Sequence, residues 1–141
     1  MITNPVTIIR TSLISEYLKG NWKIVKSLNK TRNLGIEGAL WVAEEKLVDE
    51  NSSDTFIVYI YYFNNSQSAL QYYQCFIPSS NVSTYRGMTV YFYTLGFVQS
   101  LYVLKGNMVI YLSFIGSSDP ATPYPGYEHL LNLASSIIAN V

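Results

Sequence analysis

Charge is what this chain has least of. Only 13% of its 141 residues are Asp, Glu, Lys or Arg, about half the usual share for a soluble domain. The nine basic and nine acidic side chains cancel, and no block of like charge occurs. The basic footprint that nucleic acid or an anionic membrane surface requires is missing, so no nucleic-acid partner is expected. Histidine and cysteine are single, His129 and Cys75. One cysteine excludes an intramolecular disulfide and any cysteine metal cluster; one histidine excludes a His pair or an HExxH helix. No metal and no cofactor are expected. Cys75 reads as a small buried apolar residue, and His129 as a solvated side chain on a helix.

Long apolar runs are absent as well. Nothing approaches the roughly 20 residues of a membrane helix, so no membrane span is expected. The opening MITNPVTIIRTSLI lacks the layout of a secretory leader, which leaves a cytosolic protein or a mature ectodomain.

Catalytic motifs are equally sparse. The glycines are dispersed, and Gly35-Ile-Glu-Gly38 lacks the Lys-Ser/Thr and the following helix of a phosphate loop. No Gly-x-Ser-x-Gly elbow accompanies His129. Glu44 and Glu45 are neighbours on an expected strand and so point to opposite faces. Glu37, Asp49, Glu50 and Asp54 read as solvated loop charges. No catalytic residue is therefore expected.

What the chain does have is 13 tyrosines and abundant Asn, Ser and Thr. A surface of neutral polar groups changes little as carboxylates protonate, which suits a protein facing acid. Four glycosylation triplets, at Asn29, Asn51, Asn64 and Asn81, all fall at expected turns and favour an outside location.

Periodicity supplies the architecture. Residues 12–20 read as a short helix closed by Gly20. NWKIVKSL (21–28) suits an edge strand with its lysines toward water. ALWVAEEKLV (39–48) alternates as a strand. Thr55 to Phe63 is apolar on both faces, the mark of a strand in the middle of a sheet covered on both sides. SQSALQYYQCFI (66–77) carries a helical stripe of Ala69, Leu70, Tyr73, Phe76 and Ile77, ended by Pro78. Runs 88–94, 97–104 and 108–115, separated by Leu95-Gly96 and by Lys105-Gly106-Asn107, form an antiparallel meander. GYEHLLNLASSIIANV (126–141) is an amphipathic helix with Tyr127, Leu130, Leu131, Ala134, Ile137, Ile138 and Val141 on its apolar side. The expectation is a single α+β domain over 1–141, a mostly antiparallel sheet of about six strands with helices packed on it, in the order helix-βββ-helix-βββ-helix. A strand-strand-strand-helix repeat runs through the two halves.

The closing stretch VYFYTLGFVQSLYVLKGNMVIYLSFIGSSDPATPYPGYEHLLNLASSIIANV resembles the second half of PsbP-like domains, and Gly20-Asn-Trp-Lys-Ile-Val resembles their opening strand. That resemblance implies an antiparallel sheet sandwiched by helices, used for binding proteins and accessory subunits, with no catalytic residue to carry over. The composition is similar to that of proteins from thermoacidophilic archaea and their viruses.

Alternation places Tyr91 with Tyr93 on one side of their strand, and Tyr59 with Tyr61 on one side of theirs. Tyr102 and Tyr111 fall on neighbouring strands. Should those sides coincide, the six present a flat face for a protein or glycan partner or for a second copy of the chain; otherwise they are core with hydroxyls at the rim. The expected function is a small non-enzymatic binding or accessory module. The alternative is a small hydrolase built on carboxylates that the fold brings together.

Overall fold

The computed structural model describes residues 14, 18–77, 82–117 and 124–139. These form one antiparallel sheet with the strand order β1-β2-β3-β7-β6-β5-β4. The strands are β1 Trp22–Lys30, β2 Ala39–Asp49, β3 Thr55–Phe63, β4 Ser83–Tyr85, β5 Met88–Leu95, β6 Val98–Lys105 and β7 Met108–Ile115. Helix α1, Ser66–Gln74, follows β3, and helix α2, Gly126–Ala139, follows β7. The two meanders meet at β3 and β7, which pair from Thr55 opposite Ile115 to Tyr62 opposite Met108.

Alternation explains why β3 is central. Phe56, Val58 and Ile60 point to one face and are fully buried there with Leu101, Leu112 and the α2 residues Leu130, Leu133 and Ile137. Trp22 closes the end of this core, its ring edge-on to Phe56 and Phe114 at 6.4 and 6.3 Å. Its indole N–H donates to the Leu18 carbonyl. The opposite face carries a smaller core of Phe63, Val109, Ala69, Tyr73 and Ile77 under α1. At nine residues, α1 is only about 14 Å long. It therefore covers one end of its face and leaves the rest to side chains that tolerate water.

Asn65 caps α1. Its backbone is extended and its side-chain oxygen accepts from the Ser68 N–H at 2.8 Å. Asn65→Ala is expected to cost about 1 kcal/mol and to lower the melting temperature by roughly 3 to 5 °C; an unchanged melt would show that the cap contributes nothing.

The expected six-stranded α+β arrangement with three packed helices is corrected to a mostly β architecture: a seven-stranded sheet, with two helices, α1 and α2, among the described residues. The added strand is β4, three residues joined to β5 through Arg86 and Gly87, both at positive φ (48° and 77°). Its brevity gives no alternation to read, and Arg86 is not a customary turn residue. The helix expected over 12–20 lies outside the described residues except for Ile14 and Leu18, both buried in the larger core. Val141 likewise lies outside them, and the buried face of α2 includes Leu133.

β1 is an edge strand as its lysines suggest, and only Trp22 is buried along it. A bulge between Ile24 and Lys26 interrupts its pairing with β2. Ile24, Val25 and Leu28 stay exposed, and Lys23, Lys26 and Lys30 alongside them oppose edge-to-edge pairing. Helix α1 ends before Cys75, which is exposed rather than buried; its thiol reaches the Gln71 carbonyl at 3.3 Å. Phe76, expected in the apolar stripe, is 56% exposed, because the chain leaves helical geometry there.

Candidate ligand-binding face

The smaller core sits at one end of a sheet face dominated by tyrosine. Cross-strand register sets Tyr59 opposite Tyr111, Tyr111 opposite Tyr102, and Tyr102 opposite Tyr91. One row of four tyrosines thus crosses β3, β7, β6 and β5. Tyr61 and Tyr93 stand two residues along the same face of β3 and β5. All six tyrosines singled out from the sequence lie on this one face, in a continuous chain of ring contacts: Tyr91 to Tyr93 at 5.7 Å, Tyr93 to Tyr102 at 6.3 Å, Tyr102 to Tyr111 at 4.5 Å, Tyr111 to Tyr59 at 6.1 Å and Tyr59 to Tyr61 at 5.9 Å. Tyr72 of α1 extends the chain, 4.9 Å from Tyr61 and 5.0 Å from Phe76.

Between these rings lies a cavity of about 250 Å³. Tyr59, Tyr61, Tyr102 and Tyr111 form its floor with Val109, while Tyr72, Tyr73 and Phe76 form the wall on the helix side. Tyr73 is buried, and its hydroxyl is shared between the carbonyls of Tyr102 at 3.2 Å and Thr89 at 3.4 Å, which pins the wall to the sheet. Beside the floor, on the same face of the sheet, the buried hydroxyls of Ser100 and Ser113 bond each other at 3.1 Å, and Ser100 meets the Tyr111 hydroxyl at 3.3 Å. A second hollow of about 350 Å³ lies beyond Tyr72, between residues 35–37 and the Ser68, Gln71 and Cys75 side of α1 and its exit.

Electrostatics of the cavity follow from burial. Burial pushes the hydroxyls of Tyr61, Tyr73 and Tyr102 well above the ordinary tyrosine range; hydrogen bonding with Tyr72 adds to this at Tyr61, and the proximity of Tyr111 and Tyr93 adds to it at Tyr102. Tyr59 is raised by burial first, then by its hydrogen bond with Glu44 and by that carboxylate's charge. Every one of these phenols therefore stays neutral near pH 7. Among the described residues Glu44 is the acidic side chain beside the floor, and Lys26 holds its Oε2 at 3.1 Å from the solvent side.

Glu44 and Glu45 do point to opposite faces. Glu45 is fully buried on the α2 side of β2, where Ser27 donates to its Oε1 at 3.4 Å and its Oε2 has no hydrogen-bond partner. Burial pushes its carboxyl up to about 7, against the smaller lowering effect of Ser27. Asp49 and Asp54, read from the sequence as solvated, are both buried. Asp49 accepts from the N–H groups of Asn21 and Asn51 and from the Ser52 hydroxyl, and Asp54 accepts from the Ser117 N–H. The flanking Asn-Ser-Ser does signal a turn, but not that the turn folds over its own carboxylates. His129 is exposed on α2. Among the described residues no cluster of three His, Cys, Asp or Glu could hold a metal.

Asn51 and Asn64 are exposed outside the strands, Asn29 lies within β1 rather than in a turn, and Asn81 lies outside the described residues. Sequence reasoning missed Tyr72 as part of the cavity and assigned Tyr73 and Phe76 to plain core. The doubled tyrosine in SALQYYQ was the available signal: side chains about 100° apart on the helix reach the same face at different strands, Tyr72 at β3 and Tyr73 at β5 and β6.

No family model matches the chain. No curated protein matches it either. Among solved structures, the extracellular domain of PknH from Mycobacterium tuberculosis is similar over 93% of this chain and 90% of its own, with a TM-score of 0.61 at 8% identity. An uncharacterised protein of Mycobacterium smegmatis, an Rv0999 ortholog, is similar over 98% of this chain and 96% of its own, with a TM-score of 0.50 at 11% identity. At these identities the likeness is one of fold. Among the described residues no helix is long and apolar enough to cross a membrane.

Proposed function

We propose that this protein is a non-enzymatic binding module whose site is the tyrosine-lined cavity between α1 and the sheet, and that it works outside the cytoplasm. The observation that carries the reading is the cavity itself. Side chains that could have closed a core instead leave about 250 Å³ of space among rings whose hydroxyls remain neutral. Concave, mostly apolar sites with a few placed polar groups are where small ligands bind. Tyrosine supplies such a site with large contact area at low entropic cost and with a hydroxyl for orientation. The PsbP-like patterning points the same way, toward binding and accessory roles, and the extracellular domain of similar fold supports the location.

Among the described residues the carboxylate-dependent alternative gains no pair of acids at this cavity: Glu44 stands beside the floor, while Glu45 lies on the other side of the sheet. The reading is tested by calorimetric titration with phenol, methyl β-glucoside and choline. At least one is expected to bind saturably, and Tyr72→Leu or Tyr111→Leu is expected to weaken it by about fivefold or more. Failure of all three to bind, or binding indifferent to both substitutions, would refute the site.

A further inference from the structure

We infer that the cavity is an aromatic cage for an organic cation, specifically an alkylated ammonium group of the trimethylammonium kind; this rests on the binding role proposed above and names its ligand class. Three features converge on that chemistry. The first is the number of rings. Tyr59, Tyr61, Tyr72, Tyr102 and Tyr111 border one space with Phe76 at its exposed rim. The faces of such rings carry the negative lobe of the quadrupole, which attracts a cation within about 6 Å of a ring centre.

Second, among the described residues no Lys, Arg or His lines the cavity, so none of them would pair there with an anionic ligand such as a carboxylate or phosphate. The acidic side chain at its edge among the described residues is Glu44, whose neighbour across the strand pair is Tyr59. Lys26 occupies one oxygen of Glu44 from solvent and is itself 54% exposed. The Glu44 side chain is 14% exposed, so solvent weakens the pair from the lysine side, and its Oε1 lies outside the contact with Lys26.

Third, hydroxyls of both the wall and the floor are already engaged. Tyr73 is bonded to backbone carbonyls and Tyr111 to Ser100. A sugar, which needs many directional partners, would have to break these bonds; an alkylated ammonium has no N–H to satisfy and needs only ring faces and a nearby negative charge. The contrast also separates the ligand from a plain hydrocarbon, which would gain nothing from Glu44.

The test compares choline with 3,3-dimethylbutan-1-ol, its uncharged isostere, by calorimetry on the intact protein. Choline is expected to bind about tenfold or more tightly than the alcohol. Glu44→Gln, a substitution at the cavity edge, is expected to weaken choline severalfold and leave the alcohol unchanged, and Tyr111→Leu to reduce the preference for charge. Competition by phosphatidylcholine vesicles and by a trimethyllysine peptide tells a lipid head group and a modified protein apart from a free amine as the natural source. If the alcohol or methyl β-glucoside binds as tightly as choline, the cation assignment is overturned while the cavity stands as a binding site. If choline, the alcohol, phenol and the glucoside all fail to bind, both the assignment and the binding role are overturned.

Discussion

The wild-type protein is expected to melt at a higher temperature at pH 5 than at pH 8, and Glu45→Gln is expected to abolish that difference. Glu45 is fully buried, with one oxygen unpartnered and only a long hydrogen bond from Ser27 on the other. Taking an unpaired carboxylate out of water favours its neutral form, and burial raises its pKa from 4.5 to about 7. A carboxyl whose folded pKa lies above its unfolded value binds its proton more tightly when folded. Stability from this group is complete below the unfolded value, falls as pH rises between the two, and levels off above the folded one. A separation of this size is worth up to about 3 kcal/mol, or roughly 10 °C in melting temperature for a chain of this length. Asp49 acts in the opposite sense. Burial would raise it, but the N–H groups of Asn21 and Asn51 and the Ser52 hydroxyl outweigh that and hold it below its usual value. Its contribution is present above its unfolded pKa of 3.8 and is lost as pH falls through the folded value. Maximum stability should therefore lie on the acid side of neutrality, in keeping with a surface so poor in charge. Melting curves across this range decide the matter: a flat wild-type profile, or a Glu45→Gln profile that keeps the slope, contradicts the account.

Gly20→Ala is the second large effect. Gly20 has φ of 142°, a region that side chains other than hydrogen rarely occupy. A Cβ there would stand 2.6 Å from Asp49 Oδ2 and 2.8 Å from its Cγ. The carboxylate cannot move aside, since it accepts from Asn21 at 2.9 Å, Asn51 at 3.1 Å and Ser52 at 2.7 Å while almost fully buried. Backbone strain and the broken network together should cost about 3 to 4 kcal/mol. Asp49→Ala alone should cost about 2 to 4 kcal/mol by leaving three donors unpaired. Since one contact unites the two residues, the double variant should lose clearly less than the sum. Urea unfolding measures all three. A Gly20→Ala protein within about 0.5 kcal/mol of wild type would mean that the Asp49 network does not lock the chain at the start of β1.

The local half of the architecture was legible because it is written in short-range pattern. Glycine-bearing turns made β5, β6 and β7 readable as a meander, but the register that sets Tyr91, Tyr102 and Tyr111 opposite one another comes from two-residue turns at Gly96-Phe97 and Gly106-Asn107, whereas the apolar pattern takes Phe97 into β6 and leaves Lys105 out of it. The two-sided apolar run at β3 announced a central strand, and the stripe on α2 announced its partner. Pairing between β3 and β7 was not legible, since it joins segments with no turn between them, and it is this pairing that adds Tyr59 and Tyr61 to the row. β4 was too short to alternate. The burial of Glu45 depends on how β1 and the larger core close over β2, which no neighbouring residue announces. Phe76 looked like core by spacing because spacing assumes a helix that ends two residues earlier than needed. What alternation could not give is how far α1 covers its face, and the cavity exists because that helix is short.

The account stands or falls on whether the tyrosine cavity takes a ligand, and ring-carbon NMR of the tyrosines during a choline titration addresses this most directly. Saturable shifts are expected for Tyr59, Tyr61, Tyr72, Tyr102 and Tyr111, with Tyr85 and Tyr127 near α2 unmoved. Shifts confined to Tyr85 and Tyr127, or none at any tyrosine under choline, phenol or methyl β-glucoside, would contradict it.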